Sequence, residues 1–265
     1  MPLHFGSHLT YIRPTMRPLD YPILILVASF CVFWAAALIG SSLRKRKPDL
    51  GSDYHEEFMF VLGGTLTLLG LLIGFTFSMA VNRYDQRKNY EEQEANAIGT
   101  EYVRADLLPA ENATRVRALL KSYLNQRILG YKTRGDEQLR ELGAQTAKRQ
   151  AELWSAVAGP ASGNPTAINA VLVMGMNDVL NAQGYTQAAW WNRIPAAAWA
   201  LVALISIFCN LLIGYSSHDI KAFLFLILPI ALAISLFLIA DIDSPRGGLI
   251  RVHPLNLESL AASLE

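Results

Sequence analysis

Outside residues 83–193, four long stretches of this chain carry no Asp, Glu, Lys, Arg or His: residues 21–43, 58–82, 194–217 and 222–240, of 23, 25, 24 and 19 residues. An α-helix rises about 1.5 Å per residue, so about 20 apolar residues cross a hydrocarbon core of about 30 Å. Each run is long enough. A helix at the surface of a soluble protein keeps a wet face, and these runs offer none. The feature predicts an all-α membrane protein with four transmembrane helices.

The rest of the composition fits that division. Of the 45 charged residues, 26 fall in residues 83–193, between the second and third runs. The chain therefore mixes apolar spans with a polar insert, which excludes a soluble globular enzyme and a disordered protein. A net charge of +1 gives no basic footprint for a polyanion, so no nucleic-acid partner is expected. The expected organisation is a disordered leader over residues 1–20, two spans within 21–82 and a helical insert over 83–193. Two further spans follow within 194–240, then a tail over 241–265. Met16 offers a second start codon. The first run is long for a signal-peptide core and lacks a clean small-residue cleavage pattern. The cluster Arg44-Lys45-Arg46-Lys47 reads as a stop after a true span.

Four spans put the insert and both termini on one side. Near the spans that side carries Arg13, Arg17, Arg83, Arg87, Lys88, Arg193, Arg246 and Arg251; the short loops carry Arg44 to Lys47 and Lys221. The excess points to a cytoplasmic insert and cytoplasmic termini in a bacterial inner (plasma) membrane, with the basic cluster pulling the other way. Cys31 and Cys209 both fall inside spans, so no disulfide framework is expected.

The insert reads as helices. Ala95, Ile98, Tyr102 and Ala105 recur at helical spacing, and the second span is expected to run on into this segment until Pro109. Leu119, Leu120, Tyr123, Leu124 and Ile128 mark a second helix; Leu139, Leu142, Leu153 and Trp154 mark a third over residues 136–157. Residues 159–166, rich in Gly, Pro and Asn, read as a loop, and 167–192 as a helix leading into the third span. No segment shows strand alternation.

Catalytic motifs are missing: no phosphate loop, no Gly-rich dinucleotide turn, no HExxH and no nucleophile elbow. The five histidines (4, 8, 55, 218 and 253) are scattered, with no second ligand at metal spacing. The chain is not expected to be an enzyme or to hold a cofactor. Asn112-Ala-Thr114 is a glycosylation sequon by pattern alone and is silent on a cytoplasmic side.

The second span carries the most information. Gly63, Gly70 and Gly74 fall near one helical stripe with Thr67. Small residues let helices approach closely in lipid, and plain helix packing explains the glycines taken alone. Gly74-Phe75, then seven residues, then Arg83-Tyr84, resembles the end of the pore-forming second helix of bestrophins, and Asp85-Gln86-Arg87 resembles the continuation in bacterial members. The order of two spans, a helical insert and two spans is similar as well. Glu94 to Thr100 (EANAIGT), Arg104 to Pro109 (RADLLP) and Asp241 to Gly248 (DIDSPRGG) resemble a bestrophin-like group more closely still. The likeness covers about residues 20–255.

That resemblance implies a pentameric ion channel. Most bestrophins select anions such as chloride, and a bacterial member passes cations. It also implies that Thr67, Leu71 and Phe75 line a narrow neck. Steps of four keep these side chains on one slowly drifting face, and five copies of an apolar ring would gate by dewetting. Thr67 departs from the apolar pattern. The alternative is that all three face lipid or a neighbouring helix.

Other residues offer weaker signals. Asn210, deep in the third span, should seek a hydrogen-bond partner, as interhelical glue or along a pathway. Glu91, Glu92 and Glu94 would either ring a vestibule and attract cations or form a solvated helix face paired with Arg and Lys. Asp241 and Asp243 follow the fourth span, where animal bestrophins hold calcium in an acidic cluster. Two carboxylates fall short of the six to eight oxygens calcium takes, and a turn closed with Pro245, Gly247 and Gly248 is the simpler reading. Two functions remain open: an oligomeric ion channel with membrane lipid and small inorganic ions as partners, or a membrane-anchored scaffold or sensor whose insert binds a protein.

Overall fold

The computed structural model describes residues 21–45, 52–216 and 224–264. The expected leader, Met16, Lys221, the end of the 44–47 basic cluster and four of the five histidine side chains lie outside the described residues or side chains. Among the described residues the chain is all-helical: α1 (Pro22–Lys45), α2 (Ser52–Arg104), α3 (Ala110–Lys132), α4 (Asp136–Gly163), α5 (Ala167–Trp191), α6 (Ala196–Ser216), α7 (Leu224–Asp243) and α8 (Leu255–Ser263). Four of the described helical stretches are long and apolar enough to cross a membrane, and each covers most or all of one uncharged run.

The breaks follow from local chemistry. No proline occurs between Pro48 and Pro109, and α2 runs for 53 residues. It tightens into one 3-10 turn at Ala105–Leu107, and Leu108 is then extended, as the residue before a proline prefers. Pro109 opens α3. Thr166 caps α5, its Oγ1 accepting from the Asn169 amide at 3.2 Å. At the other end Asn192 turns extended, and α6 restarts at Ala196 behind Pro195. One expectation fails: residues 159–163 are not loop. α4 carries Pro160 inside it and stops only at Gly163, so three residues, 164–166, make the connection to α5. A proline costs a helix one amide hydrogen bond, which a final turn tolerates.

The chain forms two compact units. One comprises residues 85–192 and 252–264 among those described, and the other residues 21–84 and 193–251. Residues 241–265, expected as one tail, thus divide at residue 252.

In the unit built from the insert, α3 packs on α4 and α8, and α4 packs on α5. Its core is aliphatic and aromatic, with Ile98, Val116, Leu120, Tyr123, Leu153, Leu172, Met176 and Leu257 fully buried. In the apolar unit, α1 packs against α6 and α7. Phe33, Leu69, Val202, Cys209, Leu232 and Leu236 form one core; Ala80, Ile194, Ile239 and Ile242 form another.

The α1–α6 contact has a cause that composition does not display. A methyl group on Gly214 would collide with the Ala37 carbonyl oxygen, and one on Gly40 with the Leu211 carbonyl oxygen. Both glycines are needed for backbones to touch, the device that replaces hydrophobic drive between helices in lipid.

Candidate functional site

The apolar part of α2 has two faces. Leu62, Leu69, Thr76 and Ala80 are buried, with Leu66 and Ile73 half-buried between them. These residues step by three and four, one stripe of a helix. On the other side Gly63, Gly64, Thr67, Gly70, Leu71, Gly74, Phe75 and Ser78 are exposed in the single chain. Nothing lies within 4 Å of where a Cβ would stand on Gly63, Gly64, Gly70 or Gly74. Within this chain, close helix approach uses Gly40 and Gly214, not the three α2 glycines. The signal was present in the sequence: Ala36 and Gly40, and Ser206, Asn210 and Gly214, repeat small or polar residues every four positions.

Thr67, Leu71 and Phe75 share the open face. Leu71 is 53% and Phe75 60% exposed, and Thr67 turns its hydroxyl back to the Gly63 carbonyl at 2.9 Å. That bond leaves the Thr67 methyl as its free end. The polar residue is thereby partly masked, as Ser and Thr in spans commonly are. Farther on, Tyr84 packs beside Ala80, Ile194 and Ile239; Arg83 is half-buried.

The acidic residues of α2 lie elsewhere than a solvated face. In the insert, the buried stripe of α2 runs through Arg87, Glu91, Glu94, Ile98 and Glu101 and on to Ala105 of the 3-10 turn. Only Glu92 of the three expected vestibule carboxylates is exposed. Glu94 takes the Arg127 guanidinium from α3 on both oxygens, and Thr186 Oγ1 from α5 donates to Oε2 at 3.2 Å. Glu91 accepts from the Asn256 amide at 3.0 Å, its side-chain Nδ2 at 2.6 Å and the Leu257 amide at 2.9 Å. Those are donors of the first turn of α8, where an anion is favoured. The partners were missed because helix periodicity sets a face but does not identify what packs there. Burial beside Glu94 also pushes the Tyr123 and Tyr131 hydroxyls well above the usual tyrosine range.

Asn210 is fully buried on α6. Its Nδ2 donates to the Ser206 carbonyl at 2.8 Å, while its Oδ1 and the Ser206 Oγ have no partner among the described residues. Asp241 and Asp243 close the chain reversal after α7. Asp241 accepts from the Leu249 and Ile250 amides at 2.6 and 2.8 Å. Asp243 accepts from the Ile194 amide at 3.3 and 3.4 Å, and its Oδ2 lies 3.8 Å from the Arg193 guanidinium. Carboxylates with their oxygens turned to amide donors do not fit a calcium site. Among the described residues no three His, Cys, Asp or Glu side chains cluster as a metal would need.

A family described as the Bestrophin-like domain matches residues 24–257. The solved structure of a bacterial bestrophin homolog from Klebsiella pneumoniae is similar with a TM-score of 0.64, at 14% identity over 91% of this chain and 96% of that one. A point variant of the same homolog gives 0.65, at 13% identity over 90% and 97%. No curated protein matches. The likeness of structure is one of fold; the match along the sequence is one of family. The chain, a multi-pass membrane protein by its apolar helices, belongs to the Bestrophin-like family.

Proposed function

We propose that the protein is a homo-oligomeric, pentameric ion channel of bestrophin type, with α2 lining the pore and Thr67, Leu71 and Phe75 forming its neck. The observation that carries this reading is the open face of α2. Among the described residues nothing lies within 4 Å of a Cβ placed on Gly63, Gly64, Gly70 or Gly74, and Leu71 and Phe75 on the same 53-residue helix are more than half exposed. Lipid would cover such a face with large apolar side chains; four glycines there instead favour close copies or a water-filled axis. Large exposed apolar side chains at Leu71 and Phe75 suit a dewetting constriction. Arg83, Tyr84 and Arg87 extend the family likeness beyond the neck. In this reading the insert and both termini are cytoplasmic and the membrane is the bacterial inner membrane.

Purified protein in native mass spectrometry is expected to give a pentamer, and planar bilayers are expected to show ion current. Phe75→Ala should raise single-channel conductance by widening the ring. A monomer, or an oligomer that never conducts, leaves the anchored scaffold or sensor as the function. Cysteine scanning over residues 63–82 separates the two: a channel gives one water-reactive stripe through 67, 71 and 75, and an anchor gives none.

A further inference from the structure

Glu101 lies in the charged part of α2, well beyond the apolar run that ends at residue 82. It is fully buried, and neither of its oxygens accepts a hydrogen bond among the described residues. Such a group is costly to keep charged, because burial removes water and nothing replaces it. Its nearest cation is Arg104, one turn along the same helix and a third exposed, whose Nη1 stands 3.7 Å from Oε2. Opposite lies Gly175 of α5. A methyl group there would collide with Glu101 Oε2 and Arg104 Nη1, so the glycine is what makes room for the carboxyl.

The charges around it do not rescue the ionised form. From α5, Asp178 repels it. From α3, Arg117 is engaged by Asp106 and lies over Tyr102, and Lys121 lies over the same ring and bonds the Leu264 carbonyl. The α8 carboxylate Glu258 is held by Lys132. Apolar groups supply the rest: Ile98 on α2, Ala105 in the 3-10 turn after it, and Leu172 and Met176 on α5, all buried in the same core.

We propose that Glu101 is a proton-operated clasp between α2 and α5 of the insert: protonated, it lets α5 close over it at Gly175; ionised, it draws in water and loosens that contact. The idea does not depend on whether the protein conducts.

Burial pushes the Glu101 carboxyl from 4.5 up to about 7, against the opposing pull of Arg104. The sign follows by linkage. The folded insert holds a proton that the unfolded chain releases, so the contribution to stability is full below about 4.5. It is lost as the pH rises through about 7.

The test is hydrogen–deuterium exchange on the full chain in lipid nanodiscs, corrected for intrinsic exchange, between about pH 5 and about pH 9. Protection of residues 98–107 and 172–179 should fall on the order of tenfold or more with a midpoint near neutrality. Glu101→Gln should flatten the profile, Asp178→Asn should move the midpoint down, and Arg104→Gln should move it up. The infrared band of the protonated carboxyl, absent in Glu101→Gln, should vanish with the wild-type midpoint. The midpoint of that band is read from wild-type protein alone, and Glu101→Gln serves only to assign it. Protection that is flat in the wild type, a midpoint that persists in Glu101→Gln, or a carboxyl already ionised at the acid end would each overturn the clasp.

Discussion

Glu91, Glu94 and Glu101 share one buried stripe of α2, yet their neighbours treat them differently. Glu91 is neutralised by three N–H donors at the start of α8, Glu94 by Arg127 and Thr186, and Glu101 only by a loose ion pair. The Glu94–Arg127 pair joins α2 to α3 at positions 0% and 8% exposed. Removing one partner strands the other charge in the core. Arg127→Met is therefore expected to cost about 3–5 kcal/mol, read as a lowered midpoint in thermal unfolding. Arg127→Met combined with Glu94→Gln should lose less than the two single changes added, because no bare charge remains. In the sequence these glutamates look like a wet, charged face. Their register gives them away only in retrospect: Ile98 and Ala105, which are recognisably core, lie seven and fourteen residues after Glu91 on the same side of the helix.

Two helices of the apolar unit, α1 and α6, meet backbone to backbone. Their contact depends on Gly40 and Gly214, which leave no space for a side chain. Gly214→Val should force the helices apart and lower the yield of folded protein, measured as monodisperse material after detergent extraction, with an overpacking cost of about 1–3 kcal/mol. Gly74→Ala makes the opposite case. Its Cβ would meet open space, so folding of the single chain should be unaffected and helix propensity slightly improved. Any defect in Gly74→Ala that appears only in the oligomer or in conduction then belongs to contacts between copies. The existence of these helices was legible from uncharged length alone. Their ends were legible where proline speaks, at Pro109, and misleading at Pro160, where a helix tolerates proline in its last turns. Which glycines touch another helix was only partly legible: the four-residue spacing points to Gly40 and Gly214, but α2 holds more glycines than α1 or α6, and the four in its apolar part meet nothing among the described residues.

For the whole molecule, the question that four spans leave is which way they face. In the proposed topology four crossings put residues 83–193 and both termini on one side, and the charge count, eight basic residues to five, is the argument for a cytoplasmic one. The margin rests on the Arg44 to Lys47 cluster, which by itself would prefer the inside. A direct assay uses single cysteines in a background with Cys31 and Cys209 replaced. Ser42 is exposed near the end of α1, toward the first short loop, and Ser155 is exposed on α4 in the insert. With a membrane-impermeant thiol reagent added to spheroplasts, Ser42→Cys is expected to react at once and Ser155→Cys only after lysis. The reverse pattern would invert the protein. It would place the insert and its Glu101 clasp in the periplasm, where the pH follows the medium. Orientation thus decides which compartment's acidity the insert would sense, since the same carboxyl that is half-protonated near neutrality faces a buffered cytoplasm in one case and the environment in the other.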